Sequence, residues 1–93
     1  MAYVYLNLTV TKPDIFADYG KVAAPALKMH GCTVVTVSKE NEYIDGEGEA
    51  PQISVLLNFP DKAAAHAWIN DPELASVHEL RRNSGDLSML LVG

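Results

Sequence analysis

The residues able to do chemistry in this chain fall into two short pairs. In "LKMHGCTVV", residues 27 to 35, His30 and the only cysteine, Cys32, stand on either side of a glycine. In "VHELRR", residues 77 to 82, His78 and Arg81 are three positions apart. The first pair has the residue types of an activated thiol, where a histidine takes the proton and a thiolate attacks. The second, one helical turn apart, has the types that orient an anion and move a proton beside it. The three histidines lack metal-ligand spacing, and the acids between 40 and 49 lack the EF-hand pattern, so neither a metal nor another cofactor is expected.

The elements that must carry these residues follow from periodicity. "YVYLNLTV", residues 3 to 10, alternates strictly, with Val4, Leu6, Leu8 and Val10 on one face of a strand and Tyr3, Tyr5, Asn7 and Thr9 on the other. From Pro13 to His30 the apolar positions recur at helical spacing, with Lys12 or Thr11 at the cap. Pro25 predicts a kink or a restart inside this helix. Gly31 suits the left-handed position that ends it, so the helix is expected to stop at His30. "CTVVTVS" reads as a second strand and "QISVLLNF", 52 to 59, as a third. Between them lies an exposed hairpin or loop with five of the twelve acids and an Asp45-Gly46 turn. Asp61 caps a short helix, "KAAAHAWIN"; Asp71-Pro72 breaks it and "ELASVHELRR" forms another. Gly85 and Asp86 turn into a last strand, "LSMLLV".

The order βαββαβ predicts an α+β, ferredoxin-like sandwich: a four-stranded antiparallel sheet with helices on one face, in a single domain spanning residues 1 to 93. The other face would carry Tyr3, Tyr5, Asn7, Thr9, Gln52, Ser54, Leu56 and Asn58, too apolar a mixture to stay wet. A second copy of the chain is the simplest cover, so a homodimer joined through sheet faces is expected. The formal charge of −5 argues against nucleic acid and anionic membrane as partners. The amino terminus has no signal-peptide pattern and no apolar run approaches the about 20 residues of a membrane span, which predicts a cytoplasmic protein.

Placed on these elements, the candidate residues separate. Cys32 follows a helix C-terminus, whose negative end disfavours a thiolate and favours a protonated His30; Cys32 then reads as a small core residue. His66 lies about 160° around its helix from Trp68 and faces solvent, while Trp68, with Ala64 and Asp61, marks the buried side. On the last helix Leu74, Val77, Leu80 and Arg81 share a face, with His78 at its edge, so an arginine points toward the core. Its stem could pack while the guanidinium reaches Glu73, Asp86 or the chain end. Alternatively Arg81 and His78 form the anion-orienting end of an apolar pocket between helices and sheet, walled by Tyr19 and Trp68.

The stretches "YVYLNLTVTKPDIFADYGKVAAPALKMHG", "VLLNFPDKAAAHAWINDPELASVHELRR" and "GDLSMLLVG" resemble the small bacterial family known as domain of unknown function 1330, of the dimeric α/β-barrel superfamily. The most specific pieces are Tyr19 with Pro25 and Gly31, Phe59-Pro60 followed by Ala64, Ala65 and Trp68, and Leu80-Arg81 before Gly85. The resemblance implies two ferredoxin-like subunits packing their sheets into a barrel. Family members often read Gly-Gly-Arg where this chain has Gly31-Cys32-Thr33, so no role of that arginine carries over. Two functions fit the residues. One is a cofactor-independent enzyme acting on a small apolar or aromatic carbonyl or carboxylate compound, with His78 or His30 as proton shuttle and Arg81 as charge stabiliser. The other is a non-catalytic dimeric module that binds a metabolite or a protein.

Overall fold

The computed structural model describes residues 1–93. Strands β1 (Ala2–Val10), β2 (Thr33–Ser38), β3 (Ile53–Phe59) and β4 (Gly85–Val92) form one antiparallel sheet in the order β2-β3-β1-β4. Helix α1 (Pro13–Lys28) joins β1 to β2. Helix α2 (Lys62–Asn70), a 3-10 turn (Pro72–Leu74) and helix α3 (Ala75–Asn83) join β3 to β4. This is the expected four-stranded α+β arrangement.

Alternation decides which face the helices cover. Val4, Leu6 and Leu8 are buried and stand opposite Leu57, Val55 and Ile53 on β3 and Leu91, Met89 and Leu87 on β4. Val4, Leu57 and Phe59 then pack with Ala26 and Leu27 of α1, Ala65 and Trp68 of α2 and Leu74. A one-residue slip would turn each of these side chains to the bare face, so the register is tightly held. On that bare face the polar groups satisfy one another: the Tyr5 hydroxyl lies 3.1 Å from Ser54 Oγ, and Asn7 Nδ2 donates to Ser88 Oγ at 2.7 Å. Leu90 is 61% exposed beside them.

Several boundaries differ from the sequence reading, each for a local reason. α1 is one uninterrupted helix through Pro25 and ends at Lys28, two residues before His30. Pro25 lies in the last turn of α1, and its own carbonyl still accepts the Met29 N–H at 3.2 Å. Gly31 has φ +70, and the N–H groups of Gly31 and Cys32 close back on the carbonyls of Lys28 and Leu27, which is what terminates the helix. Lys12 occupies the N-cap without a side-chain bond. By contrast Asp61 caps α2 as expected, accepting from the Ala64 N–H at 2.7 Å. On α2, Ala65 joins Trp68 as a buried residue while Ala64 is half-buried, one position round from the expected stripe. The segment from 39 to 52 contains no strand and is an open loop, not a hairpin.

Gly85 is a strand residue and not part of a turn: it pairs with Val10. A Cβ built there would lie 2.0 Å from the Thr9 carbonyl oxygen and 2.9 Å from Val10 Cα, both backbone atoms that cannot step aside. Gly85→Ala is therefore expected to lower unfolding stability by about 3 kcal/mol, by analogy with overpacked sites, measured by urea denaturation. A loss under about 0.5 kcal/mol, the size of an ordinary surface change, would contradict this close approach.

Candidate functional site

Asp71, where α2 gives way to the 3-10 turn, organises the approach to the site. Its carboxylate accepts the Glu73 N–H at 2.9 Å and meets His30 Nε2 at 2.9 Å. The bond to His30, and after it that N–H, hold the Asp71 carboxyl below the usual range. His30 thus ties the end of α1 to the α2–α3 junction instead of facing Cys32. The cysteine has its thiol pushed up by burial, with the Thr33 carbonyl 3.7 Å from Sγ. The backbone N–H of Asn58 favours the thiolate, but burial outweighs it.

With Asp71 holding the turn, α3 directs three side chains inward: Leu74 from the turn that precedes it, His78 and Arg81. Four of the five candidate residues meet here. Arg81 is 0% exposed and His78 1%, so His78 sits at the centre of the buried face and not at its edge. Arg81 Nη1 donates to His78 Nδ1 at 2.9 Å. Because a guanidinium only donates, Nδ1 must be the unprotonated nitrogen. Nε2 then carries the hydrogen and donates to the Trp68 carbonyl at 2.8 Å. Both ring nitrogens are spent, and the imidazole is neutral. Its pKa is lowered first by burial and then by the charges of Arg81 and Arg82, against the opposing pull of the Trp68 carbonyl.

Aromatic rings surround the guanidinium. Its Cζ lies 5.1 Å from the Trp68 ring centroid and 5.9 Å from that of Tyr19. The His78 ring meets Trp68 edge-on at 4.8 Å, and Phe59 backs the indole at 5.6 Å. No carboxylate pairs with Arg81: the two ion pairs of the chain are Lys21–Asp18 and His30–Asp71. Neither Glu73, Asp86 nor the chain end reaches it. Arg81 Nε, Arg81 Nη2 and Trp68 Nε1 are buried N–H donors without a partner.

Magnitudes weigh against a buried charge held by these contacts alone. A desolvated cation–π contact contributes about 2 kcal/mol and one hydrogen bond to a charged group about 1.5–3. Against them stand several kcal/mol for taking the ion out of water and about 1–3 for each unpaired donor. Burial accordingly lowers the Arg81 pKa from its ordinary value, with Tyr19 opposing the shift. A carboxylate, with two oxygens able to accept in parallel, matches the missing partner in charge and in hydrogen-bond sense.

Of the residues expected around an apolar pocket between helices and sheet, Trp68 alone lines the space that is there; Tyr19, His78 and Arg81 do not. A cavity of about 210 Å³ opens between α2 and the strands β1 and β4, lined by Val4, Ala65, Ile69, Met89 and Leu91. Exposed His66 borders it, and Trp68 forms one wall. Its signal was the run Ala63-Ala64-Ala65, small side chains on a helix laid over strands, but only the register placing Val4 beside Leu91 shows that the space stays open. No group of three or more His, Cys, Asp or Glu side chains is placed to hold a metal ion.

The neutral His78 generates a pH dependence. Its native pKa is depressed, so below the ordinary histidine range the unfolded chain binds a proton that the native state refuses, and stability falls with pH. Unfolding stability is expected to drop between pH 7 and pH 5, and His78→Asn to flatten that drop, as read by urea denaturation at both values. An unchanged slope in the variant would place the titrating group elsewhere.

Comparison with known proteins follows the same outline. No curated protein matches the chain. Among solved structures, a protein of unknown function from Rhodopseudomonas palustris superimposes with a TM-score of 0.77 at 18% identity, covering 98% of this chain and 79% of that one. An antibiotic biosynthesis monooxygenase does so with a TM-score of 0.62 at 13% identity, covering 100% and 97%. A conserved protein from Methanosarcina mazei Go1 gives a TM-score of 0.60 at 14% identity, covering 98% and 90%. At these identities the likeness is one of fold, and the monooxygenase shares the ferredoxin-like arrangement. The family model described as Domain of unknown function (DUF1330) matches residues 1–93, and the chain belongs to that family.

Proposed function

We propose that the protein is a homodimer whose subunits each bind a small carboxylate compound through Arg81, with Tyr19, Trp68 and His78 as the walls of the site. The observation that carries this reading is the fully buried guanidinium with two unpaired N–H groups and no counter-charge. A purely structural arginine would be expected to find an acid, and Glu73 and Asp86 are near enough in sequence to have supplied one. Binding is favoured over turnover, because a proton shuttle needs a free nitrogen and His78 has none. His30, the other candidate shuttle, is occupied by Asp71. A cofactor-independent enzyme on an aromatic carbonyl compound, the alternative, is in keeping with the monooxygenase of like fold but requires His78 to exchange partners first.

The dimer reading rests on the bare sheet face. Tyr5 with Ser54 and Asn7 with Ser88 already bond one another, so a second sheet can cover these four side chains at little cost in polar groups. The subunit is a slab of 36 × 32 × 17 Å, one sheet and one helix layer thick, and Leu90 and Val92 remain 61% and 48% exposed on it. The net charge and the absence of any helix long and apolar enough to cross a membrane favour this partner over nucleic acid or lipid. Sedimentation at micromolar concentration is expected to give two subunits for the natural sequence and one for Leu90→Asp. A monomer for both would end the dimer reading.

The site itself is tested by thermal melts in acetate or benzoate against equal chloride. A carboxylate at ten times its dissociation constant should raise Tm by about 5 °C, and Arg81→Met should abolish the rise. The same variant, free of ligand, is expected to match the natural protein or exceed it by up to about 2 kcal/mol, since an unpaired buried charge has been replaced by an apolar chain. Loss of several kcal/mol in Arg81→Met, with no carboxylate effect on the natural protein, would make the arginine structural.

A further inference from the structure

We propose that the apolar cavity beneath α2 is the tail compartment of the Arg81 site, so that the ligand is a monocarboxylate bearing one compact apolar or aromatic group, and that Trp68 is the partition between tail and carboxylate. This inference rests on the carboxylate reading of Arg81 and adds to it the chemical class of the ligand. Trp68 is the one side chain that both lines the cavity and faces the guanidinium. The two compartments are complementary. The cavity walls formed by Val4, Ala65, Ile69, Met89 and Leu91 are apolar, and the one polar side chain at the cavity, His66, stands exposed at its border, so the interior favours an apolar group. The guanidinium, for its part, has donors to spare: His78 Nδ1 takes one, the Tyr19 hydroxyl is its other side-chain acceptor, and no carboxylate reaches it.

Size sets the tail. An apolar cavity of about 150 Å³ accommodates benzene. The cavity here, about 210 Å³, has room for one ring or a branched chain of similar bulk with a short link, and not for a fused polycycle. Trp68 is preceded one turn earlier on its helix by Ala64 and Ala65, while across from the helix its buried indole packs against Phe59 and His78, so joining the compartments requires the ring to leave those two contacts. Its own Nε1–H is buried without a partner, a further donor held beside the guanidinium. Turning the ring would join the compartments and give a carboxylate access to the Arg81 donors.

Trp68 is the only tryptophan in the chain and reports on its own environment. The full-length protein is titrated with acetate, butanoate, benzoate, 3-phenylpropanoate and the neutral 3-phenylpropanamide, followed by Trp68 fluorescence and by calorimetry. Affinity is expected to rise at least tenfold from acetate to 3-phenylpropanoate and to fall at least tenfold from that acid to its amide. Ala65→Leu, which fills the cavity, should erase the gain from the tail and keep the acetate response; Leu91→Trp fills it from the strand side if the first variant does not fold. Equal affinity for acetate and 3-phenylpropanoate, or a tail gain that survives both filled cavities, would overturn the tail compartment and leave the Arg81 site standing. No response to any of the acids, or identical binding of acid and amide, would overturn the carboxylate reading itself and this inference with it.

Discussion

A guanidinium keeps its charge at every pH a protein ordinarily meets, and a charge sealed from water needs a counter-charge. In this chain Arg81 is sealed and has only aromatic faces and one neutral imidazole for company. Much of the helical layer is arranged around that fact. His78 is held in one tautomer by the arginine on one side and the Trp68 carbonyl on the other. Ser84, also fully buried, bonds the Arg81 carbonyl through Oγ at 2.7 Å and so fixes the end of α3 just where β4 begins. The chain devotes a helix terminus and three rings to holding a cation that has no counter-charge within the chain.

The sheet serves this arrangement from below and, in the dimer reading, offers its other face to a second copy. Its covered face supplies Val4, Leu57 and Phe59, on which the indole of Trp68 rests; its bare face carries a set of polar groups that pair among themselves and a border of exposed aliphatic residues. A short chain buries a smaller share of its surface than a long one, so covering the second face would add apolar burial that the single subunit lacks. The two faces are thereby independent in chemistry but share strands, since successive residues of β1 alternate between the helix-covered side and the bare side.

Most of the fold was legible because its signals are local. Strict alternation in β1, the Asp61 cap, the Asp71-Pro72 break and Gly31 at the end of α1 each name an element or its boundary. The misreadings arose where distant chain segments decide the outcome. Gly85 looks like a turn glycine by itself; only the approach of the Thr9 carbonyl explains why a glycine must stand inside the strand. Pro25 is compatible with an unbroken α1 because it falls near the helix end. A helical wheel could bring Arg81 toward the core and Trp68 to the buried side of α2, and the cluster of Tyr19, Trp68, His78 and Arg81 was stated from those faces. That His30 would be taken by Asp71, 41 residues away, is a tertiary fact with no sequence pattern. The cavity likewise depends on how far α2 stands off the sheet.

Arg81 and Arg82 are the only arginines, so their Nε–H signals can be told apart by a single Arg81→Met spectrum. The most direct measurement is nitrogen-resolved NMR of these two groups while 3-phenylpropanoate is added. A buried cation awaiting a carboxylate predicts that the Arg81 Nε–H exchanges slowly with solvent and moves downfield on titration, while that of exposed Arg82 stays where it is. An Arg81 signal unmoved at saturating acid, or a shift confined to Arg82, would show that the guanidinium is complete as it stands.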